Sequence, residues 1–155
     1  MVYLLLQTAL FLRMAWEDFR SRTIGLWLFI AWAILLLAFQ GLLPIDYLVI
    51  NATLLLVQVG VMVLYGLWKN KGKRIGLGYF IGAGDLIFMA LAVFYFHPLV
   101  FQATLIVALI LSLVYGVISK AKTQPLAGVY ALVMAVAIWL KYLGISFFEL
   151  EYWSL

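Results

Sequence analysis

The chain has 155 residues, 68% of them hydrophobic and 10% charged, with a net charge of +4 and a mean hydropathy of +1.19. A soluble domain carries about 25% charged residues, so this chain cannot cover itself with polar surface and its solvent must be largely lipid. It has no cysteine, which excludes disulfides, thiolate zinc sites and a cysteine nucleophile.

Crossing a ~30 Å hydrocarbon layer takes about 20 apolar residues in a helix, and six stretches approach that length. The first, residues 2–17, is short and carries Gln7 and Arg13. The stem of Arg13 is long enough to take its charge to the nearer interface. A cleavable signal peptide is the rival reading of this segment, but the basic residues that should precede its apolar run are missing. Arg20 and Arg22 follow, then a second span over 24–41. The connection "GLLPID" has no cation and leads to a third span over 47–68, after which "WKNKGKRIGLG" holds Lys69, Lys71, Lys73 and Arg74.

The fourth span, 79–96, contains "FIGAGDLIFMALAVFYF", with Asp85 at its mouth behind Gly82 and Gly84. His97 and Pro98 connect it to a fifth span over 99–119. Lys120 and Lys122 precede the sixth, 125–143. A lone histidine in a short turn is no metal site, because such sites need several ligands. "GLGYFIG" enters a span without a strand-turn-helix unit around it, so it is not a dinucleotide loop. Trp16, Trp68, Tyr79, Tyr142 and Trp153 fall near span ends, as an aromatic belt requires.

The eight cations between spans all fall on one side, which the positive-inside rule makes cytoplasmic. Lys141, near the outer end of span 6, is the exception. Both termini then lie outside. The connections are too short for further domains, so the expected architecture is all-α: one polytopic unit over residues 1–155, with six transmembrane helices.

Only six acids exist: Glu17, Asp18, Asp46, Asp85, Glu149 and Glu151. Asp46, Glu149 and Glu151 belong to the outer side. Glu17 and Asp18 end span 1 on the inner side, where Asp85 begins span 4. Two carboxyls from different helices can therefore meet at one depth, share a proton and act as acid and base on a peptide bond. Gly82 and Gly84 would let backbone approach closely. Structural readings stand beside this one. Asp85 can cap span 4, Asp18 and Arg22 have ion-pair spacing, and Gly78 with Gly82 has helix-packing spacing.

Two stretches together resemble a known family. "EDFRSRTIGLWLF" is similar to the first motif of the type IV prepilin peptidases, an aspartate followed by basic residues, and "GAGD" matches their GxGD motif. "TQPLAGVYAL" at the start of span 6 is similar to the family's proline followed by small and apolar residues. The resemblance implies a membrane aspartic endopeptidase whose catalytic pair is Asp18 and Asp85, with Gly82, Gly84 and Arg22 as supporting motif residues. It implies no metal and no cofactor. Its substrate would be a pilin-like precursor cleaved at the cytoplasmic face of a prokaryotic inner membrane, and its other partner the lipid bilayer, with no nucleic acid; a homo-oligomer stays open.

The chain departs from the family at Ile87, where a lysine is common, and at Gly25 and Leu26, where Pro-Asn is usual. It also lacks the cysteine-rich insertion of the longer members that methylate the new N-terminus. A peptidase without methyltransferase activity is therefore expected. The alternative function is a catalytically silent relative that acts as a membrane scaffold or assembly factor. A small transporter is a third class, but Gln7, Asn51, Gln58, Gln102 and Ser112 form no evident polar path with the acids.

Overall fold

A computed structural model describes residues 1–40, 43–69, 82–119 and 125–144. Over these residues the chain is all-helical, with no strand. The helices are α1 (Val2–Ser21), α2 (Leu26–Leu35), α3 (Ile45–Lys69), α4 (Ala83–Ala92), α5 (Pro98–Ser119) and α6 (Leu126–Tyr142). A π-helical turn, Leu36–Gln40, continues α2. The cations Lys71, Lys73 and Arg74, the residues Tyr79, Lys120, Lys122 and Trp153, and the C-terminal acids Glu149 and Glu151 lie outside the described residues.

Two helix ends differ from the expected spans. The first apolar run ends near residue 17, but α1 continues to Ser21 and closes with Arg22 in the left-handed conformation (φ 57°, ψ 24°). There the Arg22 N–H reaches the Asp18 carbonyl at 3.0 Å. Asp18 therefore sits inside the last turn of a helix, on a fixed backbone, and not in a loop. At the other end of the site's second helix, α4 stops at Ala92 and the chain tightens through 93–96 before Pro98. Asn51 of α3 makes this possible. Its Nδ2 donates to the Val93 carbonyl at 2.9 Å and the Phe96 carbonyl at 2.8 Å, two groups that the ending helix leaves without intrahelical partners.

α6 is central. It packs most extensively on α1 and α5 and also touches α4, while α3 lies at the edge against α4 and α5. The reason is the size of its side chains. Ala127, Gly128, Ala131 and Ala135 are all buried, and small residues at such spacing let backbones come close. The face that α1 presents in return is its stripe Gln7, Phe11, Met14, Ala15 and Asp18, which follows the helical repeat. Beside it Phe11, Trp32, Phe88 and Tyr130 form an aromatic centre, with ring centroids 5.2 Å apart for Phe11–Trp32, 4.9 Å for Trp32–Phe88 and 5.3 Å for Phe88–Tyr130. Trp139 Nε1 donates to Thr8 Oγ1 at 3.0 Å, Tyr95 donates to Gln7, and Gln58 of α3 donates to Gln102 of α5.

Large apolar side chains face outward on every one of these helices, including Leu5, Ile30, Leu56, Ile87, Ile110 and Val136. By length and composition, Pro98–Ser119 is the one described helix able to cross a membrane, and α2, α4, α6 and the segment Ile45–Val61 are shorter apolar helices.

Candidate active site

The buried stripe of α1 carries its pattern one step too far. Gln7, Phe11, Met14 and Ala15 set a face that Asp18 continues, so an acid is driven into the interior at the helix end; it is 7% exposed. Asp85 arrives from the opposite direction. Gly82 is the residue before α4, and Asp85 stands at the third helical position, where its Oδ2 accepts the Gly82 N–H at 3.2 Å. This is the half of a capping box that a glycine cap can still form. The capping expected of Asp85 is thus present, and it occupies only one of the two carboxylate oxygens.

The other oxygen reaches α6. Asp85 Oδ1 accepts the Ala127 N–H at 2.8 Å, and Asp18 Oδ2 accepts the Gly128 N–H at 2.7 Å. The physical reason lies in the residue that begins the helix. α6 starts at Leu126 after Pro125, whose side chain offers no acceptor. The first N–H groups of a helix have no intrahelical partner, and an N-cap side chain normally accepts from the second or third of them. Here those two donors belong to Ala127 and Gly128, and two acids from two other helices accept from them. The positive end of the α6 dipole also favours negative charge at this place.

Neighbouring amides bring their acceptors together. Given the spacing of consecutive residues, the two bonded carboxylate oxygens lie at most roughly 9 Å apart, and the Asp18 charge acts on Asp85. Gly128 is required by the approach of α1. A Cβ there would stand 2.9 Å from Asp18 Oδ2, 3.0 Å from Asp18 Cβ and 3.3 Å from the Ala15 carbonyl oxygen.

The remaining candidates divide. The Arg22 guanidinium acts electrostatically on both aspartates and lies over the Tyr115 ring of α5 at 5.9 Å from its centre. It makes no ion pair with Asp18. The one ion pair among the described residues joins Arg13 Nε to Glu17 Oε1 at 3.1 Å, so the Arg13 charge is held one turn along its own helix. Gly82 touches the Asp85 carboxylate, but a Cβ on Gly84 would meet nothing within 4 Å among the described residues. The close backbone approach expected at this pair of glycines is found instead at Gly128. Ile87 is exposed, on the side of α4 away from its buried residues Phe88 and Met89.

Two contributors escaped the sequence reading, the amides of Ala127 and Gly128, and their only sequence signal was the proline followed by small residues. Glu17, named in the sequence as a possible companion of Asp85, instead accepts the Gly25 N–H with its Oε2 at 2.9 Å and so pins the start of α2 to the end of α1. Away from the site, Trp16, Trp68 and Tyr142 are exposed near helix ends, and His97 is a turn residue whose Nδ1 accepts the Leu99 N–H at 3.4 Å while its ring meets Tyr47 edge-on. No group of three or more His, Asp or Glu side chains that could hold a metal forms among the described residues.

Comparison with protein-family models, with curated proteins and with solved structures finds no match to this chain. The assignment of function therefore rests on the residues themselves.

Proposed function

We propose that the protein is an aspartic endopeptidase of the prepilin peptidase type, embedded in a prokaryotic cytoplasmic membrane by six spans. In this reading it removes the leader from pilin-like precursors at the inner face and does not methylate the product. The observation that carries the reading is the anchoring of Asp18 and Asp85 by two successive amides of one helix turn. Supporting it are the outward apolar side chains on all six helices, which suit a lipid surround, and the sidedness of the loop cations in the sequence.

Depth is consistent with this. Asp18 lies about 24 Å along α1 from Val2, and Tyr115, beside the site, about 26 Å along α5 from Pro98, at 1.5 Å per residue. With both starts at the outer surface, the pair lies near the inner boundary of a ~30 Å hydrocarbon layer, where the apolar helix of a precursor in the bilayer would present its leader junction.

The chemistry needs one carboxylate ionised and one protonated, and two neighbouring carboxyls favour that state by sharing a proton. The ionised member takes a proton from water as it attacks the scissile carbonyl. The protonated member donates to the carbonyl oxygen; as the resulting diol collapses, the proton taken from water passes to the leaving amine and a diol hydroxyl returns its proton to the other carboxylate. The amides of α6 hold one oxygen of each acid. They leave Asp18 Oδ1 with no donor among the described residues and Asp85 Oδ2 with only the longer bond from Gly82, so each acid keeps an oxygen for the reaction. Because the two titrate as a pair, acid and base roles belong to the dyad and not to either residue.

The test is leader removal in membranes by the unaltered protein and by Asp18→Asn and Asp85→Asn variants of equal abundance. Cleavage by the first and by neither variant is expected. Cleavage by a folded Asp85→Asn variant would overturn the proposal, and cleavage of no precursor by any form would move weight to a catalytically silent scaffold.

A further inference from the structure

Arg22 is the only described non-glycine residue with positive φ. A side chain of this size is uncommon there, and glycine or asparagine would hold the position more easily. At this cap the guanidinium lies within cation–π distance of Tyr115, whose ring is met edge-on by Phe19 at 5.3 Å. The guanidinium is therefore held against α5. It feels both Asp18 and Asp85, but among the described residues the donors to those carboxylates are backbone amides of Gly82, Ala127 and Gly128. Its Nη1 is buried with no hydrogen-bond partner among the described residues.

A buried guanidinium N–H without an acceptor is costly, and native structures leave few such donors unmet. This one belongs to a side chain whose charge acts on two acids already tied to α6. We propose that Arg22 is a substrate-anchoring residue, donating from Nη1 to a backbone carbonyl of the precursor next to the bond that is cut. The proposal rests on the peptidase reading and adds a residue that grips the substrate.

Charge selects a carbonyl over an anion as the acceptor. A dyad that shares one proton carries about one negative charge, which the guanidinium offsets. A carboxylate brought to the same place would add a second negative charge beside Asp18 and Asp85, whereas a carbonyl adds none.

Arg22→Gly separates side chain from backbone, because glycine accepts positive φ without strain. The substrate is a pilin-like precursor that the unaltered protein cleaves, used with its own sequence and with the acidic side chains near the junction changed to amides. R22G should raise KM about tenfold to a hundredfold, the weight of one hydrogen bond to a charged group, beyond any fall in kcat from the charge lost near the dyad. The amide-substituted precursor should show the same dependence. Arg22→Lys should recover part of the loss, since it keeps the charge but not the planar fork.

An R22G enzyme with unchanged KM overturns the proposal, as does a loss confined to kcat, which would make Arg22 a partner of the dyad alone. A dependence that vanishes with the amide-substituted precursor overturns the choice of a carbonyl. Thermal unfolding of R22G is followed in parallel. If R22G unfolds early, Arg22→Asn, which also tolerates positive φ, gives the same comparison. Absence of cleavage by the unaltered protein overturns the peptidase reading, and this inference with it.

Discussion

Gly128 and Gly84 make opposite predictions although both are glycines near the acids. A methyl group on Gly128 would press on the Asp18 carboxylate and the Ala15 carbonyl, so Gly128→Ala must push α1 and α6 apart or turn Asp18 away. A misplacement of about 1 Å at a reacting group costs on the order of 100-fold in rate, and kcat/KM should fall by about that amount. Among the described residues nothing lies within 4 Å of a Cβ built on Gly84. Gly84→Ala should cleave within about threefold of the parent and gain up to ~1 kcal/mol of helix stability. Paired cleavage assays and unfolding curves on the two variants check this, and equal losses at both glycines would contradict an α6-anchored dyad. The acids themselves were legible in the sequence, from their scarcity and shared side. Their anchor was not, because a backbone N–H has no signature in the letters of a sequence.

The helices followed their apolar runs closely, and the exceptions have local causes. α1 outlasts its hydrophobic stretch because the Arg22 cap, not composition, ends it. α4 ends early because Asn51, 0% exposed, accommodates the carbonyls of Val93 and Phe96. In the sequence Asn51 was one scattered polar residue among several, since its partners are more than 40 positions away. Asn51→Ala would strip two buried carbonyls of their donor, a loss of roughly 2 kcal/mol at about 1 kcal/mol per hydrogen bond. Asn51→Asp keeps the shape without the N–H donors and should be at least as damaging. Both should unfold at lower temperature in detergent and lose cleavage as α4, freed at its far end, carries Asp85 out of place. Unchanged unfolding of Asn51→Ala would show that the turn after α4 stands without it.

The described helices are apolar on their outer faces as well as inside. If lipid surrounds it, exclusion of water gives no drive for one helix to choose another, and close packing with a few interhelical hydrogen bonds must do so. The small residues of α6, the aromatic centre and the pairs Trp139–Thr8, Tyr95–Gln7 and Gln58–Gln102 are the means available. The absence of cysteine makes sidedness direct to measure. Single variants Ser21→Cys and Asp46→Cys sit at exposed positions on opposite ends of the fold. A membrane-impermeant thiol reagent added to intact cells should label Asp46→Cys and spare Ser21→Cys until the membrane is opened. The reverse pattern would invert the topology and remove the dyad from the cytoplasmic face.

The two hydrogen bonds at the start of α6 also act as a gauge. Each acid is measured from the same helix turn, so if α1 and α4 slide against each other along their axes, at least one bond must lengthen, whereas all three helices can move together without disturbing either. A thicker or thinner bilayer can therefore raise or lower the pair as a unit while its internal spacing stays constant. For the proposed peptidase, the depth of the cut becomes adjustable and its chemistry does not.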